Sequence, residues 1–329
     1  FTFIHFTDDH IPVNAGVVNL SSAIAEVNAL QPVPAFVIDT GDITETGFEP
    51  EYVKYAELMR MLTIKFYPAL GNHETAWVDV GKERFRRYFG NPYRSFNFGG
   101  IHFIILDSTV IAEQHGHFNR NQLSWLREDL KATGKTIPIF IFSHHPPMVD
   151  KGESFIDNKQ EVAEIIRGYN IKIWFCGHGH TPKCWTWNGI YLVMTRGMMN
   201  GGYRIVQIRN DKVILATKDI NQPAVIDCPE ISLTKPIPVL PYKIIAPQPF
   251  TQNPAQCLVK TRDDKNKVQV RLNNNNWSDL ALSTGTKNWW YFDISTPGCE
   301  GKNTLTVRIS TNSNTNPPVP LIWETYIPF

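Results

Sequence analysis

Five short stretches concentrate the residues able to hold metal ions: Asp8-Asp9-His10, Gly41-Asp42, Gly71-Asn72-His73-Glu74, His144-His145-Pro146 and Gly177-His178-Gly179-His180. Aspartate offers anionic oxygen, histidine a neutral imidazole nitrogen and asparagine a carbonyl oxygen. Such a mixed set without thiolate admits iron, manganese, zinc or cobalt. Glycines beside these residues let the backbone turn sharply and bring ligands close together. Asp8 and His10, two residues apart, reach the same side if the chain bends there, and His178 and His180 repeat that spacing. A carboxylate such as Asp42 can give one oxygen to each of two ions. Two ions about 3.5–4 Å apart hold a phosphoryl group, lower the pKa of a water and stabilise charge on the attacking and leaving oxygens. The chemistry expected is hydrolysis of a phosphate ester by metal-activated hydroxide, with no phosphoenzyme.

The surrounding elements account for how these stretches meet. Apolar runs of strand length occupy 1–7, 35–39, 64–68, 101–106, 137–143 and 171–176, and each metal-type stretch follows one of them. Between them, 18–30, 51–62, 121–133 and 158–169 carry helical spacing; Leu20, Ile24, Val27 and Leu30 share one face of the first. Closing strands are expected at 190–194, 203–208 and 212–217. Alternation of this kind predicts a layered α/β domain. In an open α/β sheet the carboxyl ends of the strands share one edge, so the five stretches are expected to converge.

Composition changes near Asn221. Seven prolines between 221 and 250 predict a stiff, extended connector. Short alternating segments follow at 256–261, 267–272, 289–294 and 303–309, as in a small β-sandwich of immunoglobulin or fibronectin type. The division expected is 1–222 for the catalytic domain, 223–246 for the linker and 247–329 for the sandwich.

The series Asp8-x-His10, Gly41-Asp42, Gly71-Asn72-His73-Glu74, His144-x-Pro146 and Gly177-His178-x-His180 resembles the calcineurin-like metallophosphoesterase family, with all five blocks in the family's order across about residues 1–220. The resemblance implies a four-layer α/β/β/α fold and a dinuclear centre of divalent or trivalent ions. It implies Asp8, His10, Asp42 and His180 around one ion, and Asp42, Asn72, His144 and His178 around the other, with Asp42 bridging. His73 matches the family's non-ligand histidine, expected to face the phosphate and protonate the leaving oxygen, and Glu74 is placed as the residue that orients it. The run His144-His145-Pro146-Pro147 resembles members acting on cyclic nucleotides or glycerophosphodiesters, which favours a diester. Glu45 stands where purple acid phosphatases carry a tyrosine, which counts against that subfamily. Asp9 departs from the apolar or small residue of many relatives, and is read either as a solvated neighbour or as a charge that alters the field at the site. The C-terminal pattern of Trp277, Trp289, Asp293, Gly301 and Leu305-x-Val307-Arg308 is similar to immunoglobulin-like modules appended to such enzymes.

Plainer readings apply elsewhere. His145 is read as a non-ligand, His5 and His102 as structural, Cys176 as a packing residue, and His115 and His117 as polar-loop residues, with lining of the substrate cleft as the alternative. Trp277, Trp289, Trp290 and Trp323 are read mainly as sandwich core. A phosphomonoesterase with the same centre, or a surface-binding protein with a structural metal site, are the rival functions. A formal net charge of +1 and no basic stripe argue against a nuclease, so the partner expected is a small phosphate ester and no nucleic acid. No apolar run approaches the ~20 residues of a membrane span. No leader is visible, though an opening directly in a strand pattern is what its removal would leave. Cys257 and Cys299 are a candidate pair, which an extracytoplasmic address would allow and a cytoplasmic one would not; an extracytoplasmic or secreted address is favoured, with a cytoplasmic one as the alternative.

Overall fold

A computed structural model describes residues 1–149 and 155–234, and beyond them 244–245, 255–260, 267–272, 277–282, 289–294, 302–310 and 321–328. The chain groups into two compact units. One comprises Phe1–Met148, Ser154–Cys184 and Ile190–Pro236; the other comprises Val149–Glu153, Trp185–Gly189 and Ile237–Phe329.

The chain begins with β1 (Thr2–Phe6), α1 (Asn14–Ala29), β2 (Phe36–Asp39), α2 (Glu49–Met59), β3 (Lys65–Pro68), α3 (Gly81–Phe89), β4 (Arg94–Phe98) and β5 (Ile101–Ile105). It continues with α4 (Arg120–Thr133), β6 (Ile139–Phe142), α5 (Lys159–Ile166), β7 (Ile171–Cys176), β8 (Lys183–Trp187), β9 (Ile190–Met194), β10 (Gly202–Arg209), β11 (Lys212–Asp219), β12 (Ala224–Ile226) and β13 (Ile231–Ser232). One sheet has the order β12–β11–β10–β1–β2–β3, with β1, β2 and β3 parallel and β10 antiparallel to β1. A second run has the order β9–β7–β6–β5–β4, parallel except for β4.

Side-chain alternation along these strands builds two cores. Phe3, Phe36 and Ile38 face Phe103, Phe140, Phe142 and Phe175, so the two sheets meet through a layer of aromatic rings. Ile4, Phe6 and Val37 point the other way, onto Leu20, Ala23, Ile24 and Val27 of α1 and Tyr52, Tyr55 and Leu58 of α2. The helical spacing of the α1 residues is therefore the face that seals the sheet. Helix α4 is capped by the Asn119 side chain, which accepts from the Gln122 N–H at 3.0 Å.

Several elements have no counterpart in the sequence reading, among them α3, β4, β8, β12, β13 and β21 (Leu321–Pro328). Helix α3 buries only Gly81 and Phe85, too few apolar positions for a periodic signal, and is held by Arg84 and Arg87 on Glu49. Strand β4 pairs with β5 while Phe98 stays exposed. The proline-bearing stretch starts as sheet, since β12 and β13 both pair with β11. Cys228 within it is bonded to Cys184, 44 residues away. Cys299 lies outside the described residues, and so does the proposed Cys257–Cys299 pair.

In the second unit the described elements from residue 237 onward are all strands: β14 (Ile244–Ile245), β15 (Ala255–Lys260), β16 (Lys267–Leu272), β17 (Ser278–Asp279), β18 (Ala281–Leu282), β19 (Trp289–Ile294), β20 (Lys302–Ser310) and β21 (Leu321–Pro328). They form antiparallel ladders in the orders β14–β15–β19–β18 and β17–β16–β20–β21. Trp277 is half-buried beneath the guanidinium groups of Arg308 and Arg271, 4.3 and 5.1 Å from its ring. The side chains of Trp289, Trp290 and Trp323 lie outside the described residues.

Candidate metal centre

The C-terminal ends of β1, β2, β3, β6 and β7 each deliver part of the site. Asp8 and His10 follow β1, Asp42 follows β2, Asn72 follows β3, His144 follows β6, and His178 and His180 follow β7. The bend that lets residues two apart point the same way is a left-handed backbone: φ is 56° at Asp8, 53° at His10, 54° at Asp42, 66° at His178 and 53° at His180. A non-glycine residue in that region costs on the order of 1 kcal/mol or more, and such strain gathers at functional sites. Gly41 and Gly71 make room for it, because a Cβ on Gly41 would run into the Gly71 nitrogen and one on Gly71 into Asp42.

All seven expected ligands and His73 come together. His180 Nε2 lies 3.1 Å from Asp8 Oδ1, and His144 Nε2 lies 3.1 Å from Asp42 Oδ2. Asn72 Oδ1 lies 3.0 Å from both His144 Nε2 and His178 Nδ1, which are 3.2 Å from one another. His10 Nε2 is 3.9 Å and His73 Nε2 4.0 Å from the same Asp42 Oδ2. Groups of ligand atoms within 4.8 Å of one another include Asp8 with His10 and His180, and Asp8 with Asp42 and His144.

Hydrogen bonding shows what these atoms are short of. His144 Nδ1 donates to the Thr40 carbonyl at 3.1 Å, and its Nε2 meets two acceptors, Asp42 Oδ2 and Asn72 Oδ1, so this point of the site calls for positive charge. The Asn72 amide is oriented because its Nδ2 donates to Gln114 Oε1 at 2.5 Å. His10 is oriented because its Nδ1 donates to the Glu45 carboxylate at 2.8 Å, which leaves Nε2 buried and without a hydrogen-bond partner. A crowd of acceptors around one carboxylate oxygen, with an orphaned imidazole nitrogen beside it, is the donor set a cation satisfies. Outer partners that fix ligand orientation in this way are a general property of metal sites.

The electrostatics agree. Burial pushes the His144 imidazole down, but the carboxylates of Asp42 and Asp8 outweigh it and lift it to about 9. Burial would raise Asp42; His144, His73 and His10 around it instead hold it well below the ordinary carboxylate range. Burial and the neighbouring His144 lower His178 to about 4, and burial lowers His10, so both imidazoles are neutral and ready to donate lone pairs.

Several sequence expectations are revised. Glu74 does not orient His73. It is fully buried and accepts from the backbone N–H of Asp42, Gly71 and Thr44 at 3.0, 2.7 and 2.8 Å and from the Thr44 hydroxyl at 2.7 Å, so it fixes the two loops that carry Asp42 and Asn72. His73 is held by Nδ1 donating to the Glu45 carbonyl at 2.7 Å and by its own N–H donating to Asp42 Oδ1 at 2.9 Å. Asp42 Oδ1 accepts the His73 N–H, while the histidine nitrogens gather on its Oδ2. Asp9 is fully buried and not solvated; burial and the adjacent Asp39 push its carboxyl well up.

His145 is excluded as a ligand by its own bonds. Nε2 donates to the Gln114 carbonyl at 3.0 Å and Nδ1 accepts from the Ser108 hydroxyl at 2.9 Å. His5 bridges Thr40 and Thr195, and His102 bridges Asn97 and Asp129, both structural roles as expected. His115 and His117 face Asp157. Their loop reaches the centre through Gln114, a residue no sequence motif marks. Burial pushes the Cys176 thiol up, consistent with packing.

Comparison with known proteins places this geometry. The family model for calcineurin-like phosphoesterases matches residues 1–182. A probable glycerophosphodiester phosphodiesterase of Arcobacter nitrofigilis is 32% identical over 187 residues, covering 53% of this chain and 67% of that protein. A probable cyclic nucleotide phosphodiesterase of Rhodopseudomonas palustris is 28% identical, covering 60% of this chain and 77% of that protein. In fold, the chain is similar to the solved structure of GAP50, the anchor in the inner membrane complex of Plasmodium, at a TM-score of 0.51 and 11% identity over 71% of this chain and 89% of that one. The chain belongs to the calcineurin-like phosphoesterase family and is a phosphoric ester hydrolase.

Proposed function

We propose that this protein hydrolyses phosphodiesters at a centre of two metal ions. Asp8, His10, Asp42 and His180 would hold one ion, and Asp42, Asn72, His144 and His178 the other. The observation that carries the proposal is the convergence of His10, His73 and His144 nitrogens on the single oxygen Asp42 Oδ2, with His10 Nε2 buried and unpartnered. Asp42 is the residue that would serve both ions. Bound there, the ions would polarise the phosphoryl oxygens and acidify a water for attack. Iron, manganese, zinc and cobalt all fit the donor set.

The chain's own residues supply the rest. His73 is partly open to solvent and its ring is fixed through Nδ1, so its Nε2 lies at the edge of the centre, 4.0 Å from Asp42 Oδ2, where it can carry the proton that the leaving oxygen needs. Asn72 is kept in its acceptor orientation by Gln114, and His10 by Glu45. The Glu45 carboxylate, 3.7 Å from His73 Nδ1, gives this edge of the site an acidic character. A diester anion carries less negative charge than a monoester dianion and suffers less repulsion there, which favours the diester over the monoester. The relatives named as phosphodiesterases point the same way.

Helices α4 and α5 bury Leu123, Leu126, Val162 and Ile165, which supports an outer helical layer and with it a four-layer α/β/β/α arrangement. The all-strand ladders of the second unit support an immunoglobulin-like sandwich. The Cys184–Cys228 disulfide supports an oxidising, extracytoplasmic address. Among the described residues no helix is long and apolar enough to cross a membrane.

The test compares bis(4-nitrophenyl) phosphate with 4-nitrophenyl phosphate on manganese-loaded protein, and adds a dialkyl phosphate to probe His73. Diester preference is expected, with dialkyl turnover falling about 10²–10⁴-fold in His73→Ala. The aryl ester should lose less, because its leaving group needs less help from a proton. Monoester preference would move the substrate class. No turnover with manganese, iron, zinc or cobalt would contradict the hydrolase.

A further inference from the structure

The indole of Trp77 sits against the ring of His73, 4.7 Å between centroids at an interplanar angle of 65°. It is 50% exposed. An indole left half in water beside a reactive histidine needs a reason, because burying an aromatic ring is among the larger favourable terms in folding. Positioning His73 is not that reason, since the Glu45 carbonyl and Asp42 Oδ1 already fix its ring and its backbone. Trp77 is itself well placed. Thr75 and Ala76 donate to the Asn72 carbonyl at 3.0 and 2.8 Å, so the chain leading to Trp77 is wound directly onto a candidate ligand. The Ala112 N–H donates to the Thr75 carbonyl at 3.0 Å and the Thr75 hydroxyl to the Val110 carbonyl at 3.2 Å, which brings exposed Ile111 to the same edge.

Charge narrows what could lie there. The Glu45 carboxylate is 3.7 Å from His73 Nδ1. The nearby Lys82 ammonium is committed to Asp107 and the Thr109 carbonyl, each at 2.7 Å. An additional anionic group on the substrate would meet a negative side and no available cation among these residues. Position fixes which end of the substrate this is. If His73 protonates the leaving oxygen, whatever lies over its outer edge belongs to the leaving alcohol.

We infer that Trp77 forms a stacking subsite for the leaving alcohol, selecting one that carries a flat, uncharged ring. The inference rests on the proposed hydrolysis and adds the chemical class of the leaving group. Bond formation and cleavage are those of the hydrolysis itself: water oxygen joins phosphorus, the phosphorus–alcohol oxygen bond breaks, and the proton on His73 Nε2 goes to the alcohol oxygen; one water proton stays on the new hydroxyl and the other passes to solvent, from which His73 regains its own.

The test uses benzyl methylphosphonate and cyclohexylmethyl methylphosphonate with the full-length, manganese-loaded chain. Each has one negative charge and a single leaving alcohol; benzyl alcohol is also the slightly better leaving group, so the benzyl-to-cyclohexylmethyl ratio of Trp77→Ala sets the baseline. The wild type is expected to exceed that baseline ratio in kcat/KM by roughly three- to tenfold, the range for one aromatic contact. Trp77→Phe should restore most of the excess. Equal losses on both esters in Trp77→Ala would overturn the inference and reduce Trp77 to packing. So would a wild type indifferent to the ring. Failure of the metal-loaded wild type to turn over either ester, or any aryl diester, would instead overturn the hydrolase reading, and the inference with it.

Discussion

Replacing Asp227 with alanine strands a buried cation. The Arg204 side chain is fully buried on β10, and its two terminal nitrogens reach the Asp227 carboxylate at 2.6 and 3.0 Å. Its other contacts are neutral: the Met194 carbonyl at 3.1 Å and the Thr195 hydroxyl at 3.3 Å. Arginine cannot shed its proton inside a protein, so the charge remains when its partner goes. Breaking a buried pair from one side costs about 3–5 kcal/mol. Asp227 is 24% exposed, which lets water soften the loss and sets the expectation near 3 kcal/mol, the low end of that range. For a urea m-value of about 1.5–3 kcal/mol/M the midpoint falls by about 1–2 M. The assay is equilibrium urea denaturation of wild type, Asp227→Ala, Arg204→Met and the double variant. The double variant should be more stable than Asp227→Ala alone, because it removes the stranded charge along with its partner. A shift under about 1 kcal/mol for Asp227→Ala, or a double variant less stable than that single one, would refute the reasoning.

Three further expectations follow from single contacts. Gln114→Leu frees the Asn72 amide to rotate and should weaken manganese binding by about 10- to 100-fold in calorimetric titration, while Gln114→Glu keeps an acceptor and most of the affinity. Cys184→Ala removes a 44-residue cross-link and should lower stability by about 2–4 kcal/mol in oxidising buffer, with the difference from wild type vanishing once both are reduced. Burial pushes Glu26 up, but Lys218, the Asn221 N–H and the Tyr203 hydroxyl hold it below its ordinary value of 4.5. Its contribution is therefore present above that pH and lost as the pH falls through the lowered value. Glu26→Gln should cost at most about 1 kcal/mol at neutral pH and nothing in strong acid, as read from denaturation curves at both.

The parts of the site legible in the sequence are those that sit immediately after an apolar strand. Asp8, Asp42, Asn72, His144 and His178 each follow such a run, and the rule that strand ends share an edge is enough to gather them. What was not legible comes from chain far away in sequence. Gln114 reaches Asn72 across 42 residues and His144 reaches the Thr40 carbonyl across 104, and neither contact has a local pattern. Glu74 was misread for the opposite reason. Its place beside His73 suggested a partnership, whereas the turn at Asn72–Glu74 points its carboxylate back to Asp42, Gly71 and Thr44. The same holds for the disulfide, since cysteine spacing cannot say that β8 and the strap after β11 lie together.

The most direct test of the two-ion centre is a metal count on the wild type and three variants, by elemental analysis after loading with manganese and exhaustive dialysis. Two ions per chain are expected in the wild type, one each in Asn72→Ala and His180→Ala, and none retained in Asp42→Ala, because Asp42 would help hold both ions. A wild type holding a single ion, or an Asp42→Ala protein that still holds two, would contradict the account.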